Sequence, residues 1–321
     1  MTAPATTGWA LDAPAATRIL RRCGAMEAGQ RVASVEPAAI KVGRRATYRV
    51  RLADPEDQLI LKCFDQHERA LLAANALSAI GTALGNRSLD RVVQPLGAVD
   101  GGIVAYRRIG GLRLDEVIVR GSPVEAGGLA ARWLAHLHTS PARLERQLDP
   151  AREWDTLESW LATLASHDPG AAATVDAIRD HLARRPPVRP AVAVPIHKDL
   201  HHGHLFVAPD STVSAIDLDE ARLGPPDFDL AHFVAGLEVL DLLQPADRAG
   251  EAAGAFLARY SGATGWRPGA DYRWWRAYSL VKLAWQATQG VGPPPMGEPS
   301  HDHDGALAGA ILELVGAGGR S

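Results

Sequence analysis

Apolar and polar residues alternate at Tyr48, Val50 and Leu52, with Arg49 and Arg51 between them, the signature of a half-buried strand. The turn cluster Asp54-Pro55-Glu56-Asp57 leads into a second, almost wholly apolar strand, Leu59 to Phe64, interrupted by Lys62. Glu68 opens a helical run through Leu71, Leu72, Leu77 and Ile80, with a stop expected at Gly81. Arg91–Val99 and Gly102–Arg108 read as two more strands before the Gly110-Gly111 break. Strand, strand, helix, strand, strand with short connections predicts an antiparallel sheet carrying one helix.

Beyond Gly111 the pattern becomes helical. Leu129, Trp133 and Leu137 recur on one face, predicting an amphipathic helix over Val124–His138. Glu153–His167 and Ala171–Arg185 follow, and prolines 186, 187 and 190 then precede a short apolar stretch, Ala191–Ile196. Further helices are expected from Asp227, Pro245 and Ala270 and near the C-terminus, with Gly290–Ser300 a surface loop. The expected fold is α+β: residues 1–24 a helical extension, 25–109 a sheet lobe, and 110–321 a larger, mainly helical lobe.

Composition narrows the function. Lys plus Arg total 34 against 37 acids, a formal net charge of −3, which argues against a nucleic-acid binder. The two cysteines, Cys23 and Cys63, give no disulfide framework and no zinc knuckle. The opening MTAPATTGWALDAPAATRIL lacks a secretory pattern, and no run suits a bilayer span. A cytoplasmic protein without a membrane partner is expected.

The chemistry concentrates in one stretch, His197-Lys198-Asp199-Leu200-His201-His202-Gly203-His204, between the apolar runs Val192–Ile196 and Leu205–Val207. Asp217 follows after a turn and a third apolar run. Loops held by strand ends carry catalytic groups, and a hairpin would let Asp199 and Asp217 converge. Two carboxylates suit phosphoryl transfer, one orienting the attacking hydroxyl and one holding magnesium on nucleotide phosphates. A strand lysine clamped by a helix glutamate supplies positive charge in such enzymes, and Lys62 and Glu68 stand in that order.

The segment resembles the HxDxxxxN motif of the aminoglycoside phosphotransferase and choline kinase-like family, whose usual form is close to HGDLHPGN followed by a strand and ID. Ile216-Asp217 matches the latter, and Gly224-Pro225-Pro226-Asp227-Phe228-Asp229-Leu230-Ala231 matches the family's GDPxxDLA. Lys62 in LILKCF resembles the nucleotide lysine, Tyr106 to Gly111 the hinge, and Leu137-His138 the end of a helix closing with LH. The likeness runs from about Gly43 to Leu230.

The resemblance implies a bilobal, protein-kinase-like fold with a nucleotide-binding sheet lobe. It implies a small-molecule kinase using ATP or GTP with Mg²⁺, or Mn²⁺, on a hydroxyl of a sugar, amino alcohol or antibiotic-like acceptor. Carried over by position, Asp199 is catalytic, Asp217 and His204 are metal ligands, and His197 and Asp229 brace the loop. Lys62, with Glu68 as its partner, Gly43 and the backbone around Tyr106 bind nucleotide.

Two departures stand out. The family's asparagine is His204 here, and imidazole suits softer metals than magnesium. The expected phosphate loop, residues 41–47, has the single glycine Gly43, with Arg44 and Arg45 beside it. These speak for a rival reading, a pseudokinase that binds nucleotide without transfer, and the retention of Lys62, Asp199 and Asp217 speaks against it. The histidines suggest a third, a zinc hydrolase, for which no remote ligand cluster completes the set; His301 and His303 read as a solvated tail. The aromatic run Trp274, Trp275, Tyr278, Val281, Trp285 reads as core. Arg273, Arg276 and Lys282 on the same helix disfavour a polycationic acceptor, whereas Asp219, Glu220, Asp227 and Asp241 add acidic charge near the loop, so the acceptor's charge stays open.

Overall fold

The computed structural model describes residues 11–27, 29–41, 43–53, 57–85, 89–190, 192–244, 247–292 and 304–318. In chain order the elements of the first part are α1 (Ala13–Arg22), β1 (Val32–Lys41), β2 (Arg45–Leu52), β3 (Gln58–Phe64), α2 (His67–Leu84), β4 (Asp90–Val92), β5 (Pro95–Asp100) and β6 (Ile103–Arg107). Then come β7 (Leu112–Arg113), α3 (Leu114–Arg120), α4 (Pro123–Thr139), α5 (Pro150–His167), α6 (Ala172–Ala183), β8 (Val194–Ile196), β9 (Leu205–Val207), β10 (Val213–Ala215) and β11 (Arg222–Gly224). The chain finishes with α7 (Pro226–Leu243), α8 (Arg248–Thr264), α9 (Ala270–Thr288) and α10 (Asp304–Gly318).

Two compact units result. The first takes residues 1–110 together with Pro141–Glu145 and Ser214–Glu220; the second takes the remainder. The segment carrying Asp217 therefore packs with the N-terminal sheet although it lies far downstream.

In the first unit an antiparallel sheet runs β1-β2-β3-β6-β5. The period-2 pattern sends Tyr48, Val50 and Leu52 to the same face as Leu59, Leu61 and Cys63. All are buried against Ala16 and Leu20 of α1. Burial of each large apolar side chain there contributes about 2 kcal/mol. Asp12 caps α1, accepting from the Ala15 N–H at 2.7 Å, and Pro14 suits its first turn. The opposite face of the sheet carries Arg45, Lys62 and Tyr106.

One local expectation changes, and one strand lies outside those expected. The helix expected to stop at Gly81 runs on to Leu84 and is capped at Gly85, where φ is +79°. Gly81 lies inside the helix, against the end of the flexible Gln94 side chain. Strand β1, not among the elements expected from the sequence, is a largely exposed edge strand with a register shift between Pro37 and Ala39, the place where a sheet tolerates proline.

The second unit is helical. Its centre is α7, buried at every position from Phe228 to Leu237, so apolar residues surround it instead of forming one stripe. Gly127 lets α4 and α8 approach, since a Cβ there would lie 2.2 Å from the Ala252 carbonyl oxygen. Trp274, Trp275, Tyr278 and Val281 of α9 are buried, as a core helix requires. Residues 293–303, with His301, His303 and most of the expected surface loop, lie outside the described residues.

Candidate active site

The register of the first sheet builds one cluster. Arg45 pairs with Phe64 and Thr47 with Lys62, so Arg45 and Lys62 are diagonal neighbours on one face. Asp217 and Asp219 meet them there. The Arg45 guanidinium grips Asp217 with two parallel hydrogen bonds, Nη1 to Oδ1 at 2.8 Å and Nη2 to Oδ2 at 2.7 Å, and also pairs with Asp219. Lys62 Nζ donates to Asp217 Oδ1 at 2.7 Å and to both Asp219 oxygens at 2.9 and 3.0 Å. Two cations thus balance two carboxylates. Asp219, 5% exposed, is the deepest; burial raises its carboxyl, Lys62 opposes this, and Asp217 adds to the rise.

Asp217 holds φ at +63°, a left-handed conformation that aspartate tolerates better than most residues and that clusters at functional sites. Lys62 also lies 5.6 Å from the centroid of the Tyr106 ring. Tyr106 points into the unit, 2% exposed, its hydroxyl without a hydrogen-bond partner among the described residues. Burial pushes that phenol well above its ordinary range, and the Asp219 and Asp217 charges push it further.

Two expectations meet a different geometry here. Lys62 spends its bonds on Asp217 and Asp219, while Glu68 is exposed in the first turn of α2, where an acid suits the helix dipole. Gly43 takes φ +70° in the β1–β2 turn, closed by Arg44 N–H to the Lys41 carbonyl at 3.0 Å. Arg44 reaches the exposed Glu220 at 3.4 Å.

The second cluster belongs to the second unit. Strand β8 pairs with β11 and delivers the chain into the loop at His197. Asp229, fully buried in the first turn of α7, accepts from the His197 N–H at 2.6 Å and the Lys198 N–H at 2.9 Å. His138 Nε2 lies 3.3 Å from the same carboxylate, and His138 Nδ1 lies 2.7 Å from the Tyr260 hydroxyl. Burial would raise the Asp229 carboxyl, but the His138 hydrogen bond, with the His138 and His197 fields, leaves it lowered. His197 Nδ1 accepts from the Asp199 N–H at 3.3 Å, and His204 Nδ1 lies 2.8 Å from the Asp199 carbonyl oxygen. His197, Asp199, His204 and Asp229 thus come together.

The Asp199 carboxylate is a quarter exposed. Lys282 of α9 pairs with its Oδ1, and His232 Nε2 lies 3.3 Å from it. Burial would raise this carboxyl; Lys282, then the His232 hydrogen bond and the His204 field, hold it well below the usual range. Burial and Lys282 together push His232 down to about 4, so its ring is neutral at pH 7.

Lys198 stands where the family's usual motif has glycine, and its φ is +75°. Its ammonium turns inward to Glu153 at 2.7 Å and lies 4.3 Å from the Phe228 ring centroid. Burial, opposed by Glu153, pushes this lysine down to about 8. The Tyr278 hydroxyl donates to the same Glu153 carboxylate. Sequence reasoning missed Arg45 as an anchor, Asp219, Lys282, His232 and the Lys198–Glu153 pair. A lysine in a glycine's place was the one local signal.

Asp217 and Asp219 present hard carboxylate oxygens, which fit Mg²⁺ in an enzyme that uses it. In this arrangement Arg45 and Lys62 already balance them. Among the described residues, no helix is long and apolar enough to cross a membrane.

Comparison with solved structures gives the same fold at low identity. Spectinomycin phosphotransferase, solved with ADP and spectinomycin, matches at TM-score 0.65 and 12% identity, covering 97% of this chain and 100% of that one. A thermostable mutant of an aminoglycoside phosphotransferase, solved with ADP and hygromycin B, matches at 0.58 and 12%, covering 95% and 98%. A choline kinase from Streptococcus pneumoniae matches at 0.57 and 18%, covering 93% and 99%. The fold is therefore protein-kinase-like, with the N-terminal antiparallel sheet and larger helical C-terminal part that the pattern predicts. Comparison with curated proteins gave no match. Residues 36–278 match the family model described as the phosphotransferase enzyme family, and to that family this chain belongs.

Proposed function

We propose that this small-molecule phosphotransferase moves the γ-phosphoryl group of ATP or GTP to a hydroxyl of a sugar, amino alcohol or antibiotic-like acceptor. The observation that carries the reading is the bracing of Asp199. Asp229 accepts from two consecutive backbone N–H groups at the start of its loop, and the Asp199 carboxylate is left charged and partly exposed. In the transfer the acceptor oxygen bonds to the γ-phosphorus, and the bond to the bridging oxygen breaks. The nucleoside diphosphate leaves with that electron pair, and the acceptor proton passes to Asp199. A carboxylate held below its usual range is a weak base, which suits a loose transition state that needs orientation more than early proton removal.

Lys62, Arg45 and the turn at Gly43 supply cations and backbone to the phosphates in this reading, with the chain around Tyr106 beside the base. Asp217 would hold the metal, and His204 stands where the family's asparagine completes that set. The metal, when bound, neutralises charge on the phosphate oxygens.

A screen with γ-labelled nucleotide and pooled hydroxyl acceptors tests the proposal: label in a small-molecule product supports it. One observation favours a second reading, a nucleotide-binding module without transfer: both oxygens of Asp217 are engaged by Arg45 and Lys62. Thermal stabilisation by nucleotide and metal, with no label transferred and no hydrolysis, would support that module. Stoichiometric zinc in the purified protein and indifference to nucleotide would support a hydrolase instead.

A further inference from the structure

We infer that Lys282 is a specificity-determining residue, fitting this site to an acceptor with neutral or anionic oxygen groups, and no ammonium, beside the reacting hydroxyl. The inference rests on the kinase reading and narrows its acceptor class.

Lys282 lies on α9 between the buried residues Val281 and Leu283, yet its own side chain is 15% exposed. It shares a helix face with Tyr278, four residues before, and Trp285, three residues after. Tyr278 is tied to Glu153, and the half-buried Trp285 stacks on Trp160 with centroids 5.7 Å apart. The cation between these fixed aromatics sits on the proposed catalytic carboxylate.

The charge balance at that point is decisive. Lys282 cancels the Asp199 charge, and His232, 3.3 Å from each of them, is neutral at pH 7. Among the described residues of this unit the neighbouring carboxylates are engaged: Glu153 with Lys198, Glu238 with Arg276, and the fully buried Asp229 with the His197 and Lys198 N–H groups and His138. An ammonium next to the attacking hydroxyl would meet Lys282, with no free carboxylate among the described residues of this unit to receive it. Of the three N–H groups of Lys282 one is directed at Asp199 and a second reaches His232 Nε2 at 3.3 Å, which leaves one for an acceptor oxygen.

The test uses γ-labelled ATP with Mg²⁺ or Mn²⁺ and two matched acceptor sets: glucosamine, glucose and gluconate, and ethanolamine, ethylene glycol and glycolate. Within a set, the best non-ammonium member should exceed the ammonium member by about tenfold in kcat/KM. Lys282→Arg should keep that ratio. Lys282→Gln should collapse it to within about threefold, with nucleotide Kd unchanged. Circular dichroism and thermal melts monitor the variants, and the wild-type ratio stands whether or not they fold. Preference for the ammonium member, or a ratio unaltered in folded Lys282→Gln, overturns the inference while the kinase reading survives. Nucleotide turnover to water alone, with no member of either set used, does the same. No turnover and no nucleotide binding under any condition overturns both.

Discussion

Lys198 Nζ sits 2.7 Å from Glu153 Oε2, and this buried pair anchors a left-handed turn immediately before Asp199. A lysine at φ +75° costs about 1–2 kcal/mol, which the pairing and the Phe228 ring must outweigh. Glu153→Gln keeps the size of the side chain but removes the charge facing a buried ammonium. Denaturant unfolding at pH 7 should show a loss of about 3 kcal/mol, and the double variant Glu153→Gln/Lys198→Gly should lose less than the single. A single-variant loss under about 0.5 kcal/mol would mean that the pair does not hold the turn.

His232 predicts a pH dependence of stability. Its folded-state value, about 4, lies below the ordinary imidazole value, so the unfolded chain binds the extra proton first as pH falls. The contribution is complete above about pH 6.5 and is lost progressively towards pH 4, by up to about 3 kcal/mol. Unfolding curves for the wild type and His232→Asn across that window check it: the variant should have the shallower slope, and equal slopes would contradict the assignment.

The geometry separates Glu68 from Asp219. Glu68→Gln should leave stability within about 0.5 kcal/mol and nucleotide Kd unchanged, as for an exposed side chain. Asp219→Asn removes a partner shared by Lys62 and Arg45 inside the first unit and should cost about 2–3 kcal/mol. Calorimetric titration with nucleotide and denaturant unfolding of both variants decide it. A tenfold weaker nucleotide affinity in Glu68→Gln would restore the pairing that the family resemblance implies.

The pattern of legibility follows from the range of each interaction. The strands β2 and β3 and the helix α4 are written in local periodicity, and the loop around Asp199 in a contiguous motif, so all are legible in the sequence. The contacts of Arg45 with Asp217 and of Lys282 with Asp199 join residues 172 and 83 positions apart, and no local spacing encodes them. The strand position of Lys62 is legible, but sequence order alone cannot bring residues 217–219 back to the sheet, so the nearest helix acid, Glu68, stands as its expected partner where Asp217 and Asp219 hold it. The stop expected at Gly81 fails because a glycine within a helix looks the same in sequence as one that caps it.

His204 in place of asparagine predicts an altered metal preference. Its Nδ1 is engaged by the Asp199 carbonyl, which fixes the ring through one nitrogen. Manganese should support turnover better than magnesium, and calorimetry should show tighter Mn²⁺ binding to the nucleotide complex. His204→Asn should move both preferences towards magnesium. Equal rates and affinities for the two metals, unchanged in the variant, would contradict this role.

The central claim concerns Asp199, and Asp199→Asn measures it most directly. With γ-labelled nucleotide, metal and an acceptor from the screen, transfer by the variant should fall by about 10²- to 10⁴-fold, with nucleotide Kd within about twofold of wild type. Near-normal transfer by Asp199→Asn would contradict the account.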